Sequence, residues 1–171
     1  MFWLILLLYI IICSILYVSL DASYKAGSLQ VFKMPKSKFI YYLLSFTWGL
    51  PMNAIGLLVV SVIVLVTKNK PVKYGWNYCI ELDVNFGLEL GIFFIAPKNG
   101  PKRTKNHEHG HSIQNIYLGI FSIGVVSIPS ATRYWIREWQ RYKGEKLPDY
   151  DSIWFEGSAT KSGDEFMSKF E

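Results

Sequence analysis

From Phe2 to Leu20 the chain carries no charged side chain. At 1.5 Å per residue that run makes about 28 Å of helix, close to the thickness of a bilayer's hydrocarbon core. A cleaved signal peptide would open on basic residues and close on a small-x-small site. Here Phe2 and Trp3 follow Met1 directly, and the run ends Val18-Ser19-Leu20. The expectation is a retained membrane helix at about 2–20.

A second apolar stretch runs from Phe39 to Val66. As one straight helix it would measure about 42 Å, too long to span without strong tilt. Trp48-Gly49-Leu50-Pro51 offers a break, because proline suits the first turn of a helix and disrupts an interior. The reading is an interfacial or re-entrant helix at 39–49 and a spanning helix at 51–66, with Lys68, Lys70 and Lys73 marking the exit from the membrane. Composition agrees: 51% of the residues are hydrophobic and 16% aromatic, more apolar mass than the core of one soluble domain of this length takes up. The net charge of +5 then reads as membrane anchoring. No Arg/Lys-rich tract with interleaved aromatics points to nucleic acid, so membrane lipid is the expected partner. Cys13 and Cys79 form neither a metal-ligand spacing nor a disulfide framework.

From Trp76 the period changes to two. Tyr78, Ile80, Leu82 and Val84 alternate with Cys79, Glu81 and Asp83. Beyond Asn85-Phe86-Gly87, Leu88, Leu90, Ile92 and Phe94 alternate with Glu89, Gly91 and Phe93. This predicts a β-hairpin, closed by the Pro97–Pro101 turn, after which Pro101 opens a helix. Residues 115–129 are apolar and about 22 Å long as a helix, short for a span; the reading is a buried helix behind the active site, with a third membrane helix as the alternative. In 131–146 Arg133, Arg137 and Arg141 share one helical stripe, accompanied by Tyr134, Trp135, Trp139 and Tyr142. That mix suits a helix at headgroup level.

The segment His107-Glu108-His109-Gly110-His111 contains His-Glu-x-x-His. On a helix, residues four apart share a face, so His107 and His111 can aim their imidazoles at one ion. Glu108 sits where it can take a proton from metal-bound water. Zn²⁺ suits such a site. His109, two positions from each ligand, points to the other side of the helix, toward the surface or a supporting layer. A third ligand is required, and Glu138, Glu145, Asp149, Asp151, Glu156, Asp164 and Glu165 are all available downstream.

Here the chain resembles the gluzincin metallopeptidases, the minigluzincin core in particular, which place a third ligand on a later helix as Glu-x-x-Ala-Asp. Glu156-Gly157-Ser158-Ala159-Thr160 is similar to that pattern. The resemblance implies that Glu156 is the third metal ligand and Glu108 the catalytic base. It also implies that Thr160, standing where the family has an acid, would orient His107 through its other ring nitrogen. An edge strand precedes the His-Glu-x-x-His helix in that family and binds substrate by strand addition; Leu88, Leu90 and Ile92 stand in that place. Residues 87–114 also resemble small bacterial membrane proteins, which implies a bacterial cell membrane as location.

The expected architecture is an α+β membrane protein. Residues 1–70 form an anchor with two N-terminal membrane helices. Residues 71–171 form a zincin-like domain with a β-hairpin and a helical core. The expected function is zinc-dependent hydrolysis of a peptide or protein substrate; the alternative is a non-catalytic membrane protein with a structural or vestigial metal. Alkaline carbonate extraction of membranes should leave the protein in the pellet, and its release into the supernatant would refute the anchor.

Overall fold

The computed structural model describes residues 1–29 and 32–170. Helix α1 is Phe2–Lys25, one turn longer than the uncharged run. Its last turn is closed by a Lys25–Asp21 ion pair of 2.7 Å. The second apolar stretch is broken where the Gly-Leu-Pro signal stands: α2 is Lys38–Phe46 and α3 is Leu50–Thr67, with Pro51 in the first turn of α3. Both α1 and α3 are long and apolar enough to cross a membrane. In α3 the buried residues Met52, Asn53, Gly56 and Val60 lie on one stripe, while Leu58, Val62, Leu65 and Val66 stand exposed. Such a helix gives one stripe to protein and leaves the rest of its surface for lipid.

Four strands follow: β1 Val72–Tyr74, β2 Asn77–Leu82, β3 Leu88–Leu90 and β4 Phe93–Pro97. The sheet order is β1-β2-β4-β3, which corrects the expected hairpin. The stretch at 76–84 and the one at 88–94 do not pair around Asn85-Phe86-Gly87. Instead β2 runs parallel to β4, and β3 folds back antiparallel onto β4 with Leu90 opposite Phe93. The physical cause is Gly91, whose φ of +76° allows a two-residue turn inside what alternation presents as one strand. Period two identifies strands but not their neighbours. It also misleads about Glu89, which is buried together with Leu90 rather than facing outward.

Helix α4, Lys102–Leu118, carries the His-Glu-x-x-His segment. It stops at Gly119, whose φ is +56° and where a Cβ would lie 2.2 Å from the Trp48 ring. The expected helix at 115–129 is therefore not one element: α4 ends, a 3-10 turn follows at Gly119–Phe121, and a π-helical segment at Ile123–Ser127 leads into α5, Ile128–Tyr142. Pro129 falls in the first turn of α5, where its missing N–H costs nothing. Helix α6 is Trp154–Met167.

The chain forms two compact units. The first combines Met1–Gln30 with Phe121–Gly157, and the second combines Val31–Ile120 with Ser158–Glu171. In the first unit α1 packs on the π-helical segment, with Tyr9 stacked on Phe121 at 5.7 Å. In the second unit α4 and α6 approach closely enough to exclude side chains. A Cβ on Gly110 would come within 1.9 Å of the Ala159 carbonyl oxygen, and one on Gly163 within 1.9 Å of that of Asn106. The boundary between the units falls within α6, a continuous helix. Gly163→Ala should push α6 off α4 and destabilise the fold by about 1–3 kcal/mol. Thermal unfolding in detergent micelles measures it, and an unchanged midpoint would show that the helices do not depend on this contact.

Candidate metal centre

The motif helix α4 is buried along most of its length from Asn106 to Leu118, although its sequence is polar. A polar helix is buried only if its side chains find partners. They do: Asn106 donates from Nδ2 to Asp164 Oδ1 at 2.8 Å and accepts from the Tyr74 hydroxyl. Ser112 receives a bond from Asn77 Nδ2 at 2.6 Å. Gln114 donates from Nε2 to Ser158 Oγ at 2.7 Å. These bonds set the register of α4 against the sheet and against α6.

That register aims the two imidazoles. His107 Nε2 and His111 Nε2 lie 3.0 Å apart. Two nitrogens bound to one zinc ion in tetrahedral geometry lie about 3.3 Å apart. The opposite ring nitrogens are both engaged. His111 Nδ1 is 2.8 Å from Gln114 Oε1, an oxygen that can only accept, so its proton sits on Nδ1 and Nε2, facing His107 Nε2, carries the lone pair that could bind metal. His107 Nδ1 is 2.9 Å from Thr160 Oγ1, a hydroxyl able to accept the same proton. Fixing the outer nitrogen in this way sets the tautomer and ring orientation of a metal-binding histidine.

Glu156 lies one turn before Thr160 on α6 and is fully buried. Its Oε1 accepts from Ser130 Oγ at 2.8 Å. One ligand atom each from His107, His111 and Glu156 lie within 4.8 Å of one another. This buried group can hold a metal ion. The donor chemistry fits one: a carboxylate removed from water is stable only beside charge or strong donors, and two neutral imidazoles with a carboxylate make an N₂O set for a divalent cation.

Glu108 is 6% exposed and lies against the backbone at the head of β3. A Cβ on Gly87 would fall 2.2 Å from Glu108 Oε1, so only glycine lets the carboxylate lie there. Of the expected substrate edge, Leu88 and Leu90 belong to β3, one of the two outer strands of the sheet. Ile92 does not: it sits in the β3–β4 turn, buried, with its N–H bonded to Asn53 Oδ1 at 2.7 Å. His109 is also not at the surface. It is wholly buried, stacked on Phe166 at 4.7 Å, and neither ring nitrogen has a hydrogen-bond partner. Burial pushes its pKa down to about 3, so it stays neutral.

Three residues of the site escaped the sequence reading. Gln114 was readable in principle, since it follows His111 at i+3 on the same face. Ser130 had no local signal. Glu89 looked like an outward strand residue, yet burial raises its carboxyl to about 8, partly offset by His111 and the Gly91 N–H and reinforced by Glu108. Its Oε1 accepts the Gly91 N–H at 2.6 Å and so pins the β3–β4 turn. Of the other downstream acids, Asp164 is engaged with Asn106, Glu138 with Arg141, and Asp149 caps the 3-10 turn at Tyr150–Ser152.

Set against protein-family models, curated proteins and solved structures, the chain finds no match.

Removing the Gln114 acceptor should weaken metal binding without touching a ligand. Gln114→Ala is expected to raise the zinc Kd by about 10–100-fold, and Glu156→Gln to raise it further, whereas Glu145→Gln and Asp149→Asn leave it unchanged. Competition with a chromogenic chelator measures all four. An unchanged Kd for Glu156→Gln would remove that residue from the centre.

Proposed function

We propose that this chain is a membrane-anchored, zinc-dependent peptidase with a zincin-like helical core. The observation that carries the reading is the convergence of His107, His111 and Glu156; Glu108, next to His107 on α4, has its carboxylate beside Gly87 at the head of an edge strand. Among the described residues the group offers three ligands, the number of protein ligands typical of catalytic zinc, whereas structural zinc is closed by four. Zn²⁺ bound there would supply Lewis acidity and lower the pKa of a coordinated water to about 7.

The chain's own residues have separable tasks. His107 and His111 bind through Nε2, and Glu156 supplies the anionic oxygen. Gln114 and Thr160 hold the imidazole protons on Nδ1. Glu108 follows the first ligand by one residue and is not one of the three converging ligands, which leaves its carboxylate for the role of base. It accepts a proton from the attacking water and returns it to the leaving amine. The outer edge of β3 offers backbone groups to an extended peptide, and Gly87 brings that edge within reach of Glu108.

The second reading is a metal that serves structure alone. Thr160 favours it, because a neutral hydroxyl supports the imidazole of His107 less strongly than the acid of the gluzincin pattern. One experiment separates the two. Zinc-loaded protein in native membranes is incubated with added soluble peptides, and new N-termini are read by mass spectrometry. Glu108→Gln should keep about one equivalent of zinc and lose cleavage by about 10²–10⁴-fold. Zinc at one equivalent with no Glu108-dependent cleavage in either pool would establish the structural reading instead.

A further inference from the structure

Each unit of the fold packs an element next to the candidate centre on its own apolar helix, Phe155 beside Glu156 on α1 and β3 on α3, which sets a depth once those helices span a bilayer. In the first unit the contacts climb α1 in order. Tyr9 stacks on Phe121, and a Cβ on Gly124 would lie 2.7 Å from Cys13 Sγ. Tyr17 meets the rings of Trp154 at 6.0 Å and Phe155 at 6.3 Å. The Tyr24 hydroxyl donates to the Asp151 carbonyl at 2.8 Å. Asp21 is the first charge after the apolar run. Tyr17 lies four residues before it, about 6 Å deeper along the helix axis. Glu156 adjoins Phe155, so with α1 spanning a bilayer up to Asp21 it would lie at the edge of the hydrocarbon layer. Phe121 and the π-helical segment would lie deeper still, beside Tyr9 and Cys13.

The second unit carries the feature independently. The Leu90 carbonyl oxygen of β3 sits where a Cβ on Gly56 would come within 2.1 Å. Gly56 is six residues into α3, about 9 Å from its start. Asn53, on the same stripe, ties α3 to the β3–β4 turn through Ile92. The edge strand therefore packs on an apolar helix at a level within its span, not beyond its end. Open strand edges at bilayer depth are costly, each unpaired group by several kcal/mol, unless protein or a polar cavity faces them. At Leu90 that protein is α3 itself, and the exposed Leu88 end of β3 is the part a substrate strand would pair with.

We propose that the substrate is a membrane-embedded polypeptide, presented to the outer edge of β3 below the lipid headgroups and cut near the bilayer boundary. This inference rests on the peptidase reading and narrows its substrate class. An extended conformation is available to such a substrate at the ends of its spanning helix, where the last turns fray.

Depth is measurable apart from activity. The full chain is reconstituted in phosphatidylcholine–phosphatidylglycerol vesicles with one spin label at Leu88 or Ile128, both exposed. Ile15 serves as the reference in lipid and Lys146 as the reference in water. Labels at Leu88 and Ile128 should be relaxed by oxygen and shielded from a water-soluble nickel chelate, as at Ile15. Chelate access at Leu88 equal to that at Lys146 overturns the proposal and leaves the zinc centre standing. In the same vesicles a single-span test polypeptide should be cut about tenfold or more faster than a soluble peptide of the same cleavage sequence, since only the former is held at the site. Equal rates also overturn the proposal. Loss of Glu108 dependence would instead sink the peptidase reading, with the depth result untouched.

Discussion

The close crossing of α4 and α6 is the contact on which the candidate centre depends. Gly110 faces the Ala159 carbonyl and Gly163 faces that of Asn106, at separations where no Cβ fits. The approach brings Thr160 to His107 and Ser158 to Gln114. Because α6 is a continuous helix, the same docking sets the position of Glu156 one turn earlier. A wider crossing would break the Thr160 and Ser158 bonds and withdraw the carboxylate from the imidazoles. Small residues at the crossing are thus a geometric requirement of the metal group rather than a packing detail.

Burial of a polar helix follows from the same arrangement. Helix α4 is among the least hydrophobic segments of the chain, yet its motif is nearly closed to water. Side-chain bonds to α6, β1 and β2 make that burial tolerable, and they leave few rotamers free to blur the aim of the two histidines. His109 is the exception, buried against Phe166 with both nitrogens unbonded. Its cost is limited because the ring stays neutral. Glu89 is a second polar group held inside, and its bond to the Gly91 N–H explains why a charged residue type occupies an inward position of an edge strand.

Much was legible from the sequence, for identifiable reasons. Apolar runs of 19 residues or so have few fates, and a proline after Gly-Leu marks a helix start, so the positions of α1, α2 and α3 could be read to within a turn or so. His107 and His111 were readable as a pair because helical geometry is local. Strand neighbours were not, since pairing across β2 and β4 is decided by distant residues. The run at 115–129 misled because hydrophobicity alone does not report the break at Gly119, where the Trp48 ring occupies the space of a side chain.

The sequence by itself determined the apolar helices, the strand-forming segments and the two-histidine face of α4, because each follows from spacing within a few residues. Spacing alone did not say which carboxylate joins them; the Glu-x-x-Ala resemblance singled out Glu156, and the tertiary structure brings it to the two histidines. Seven downstream acids were chemically eligible, and Glu156 stands apart because α6 docks where glycine and alanine let two backbones touch. The same holds for Glu108 beside Gly87, for Gln114 as the acceptor behind His111, and for the level of β3 against Gly56. Each is a contact between residues far apart in the chain, and such contacts exist only once the helices and the sheet have packed.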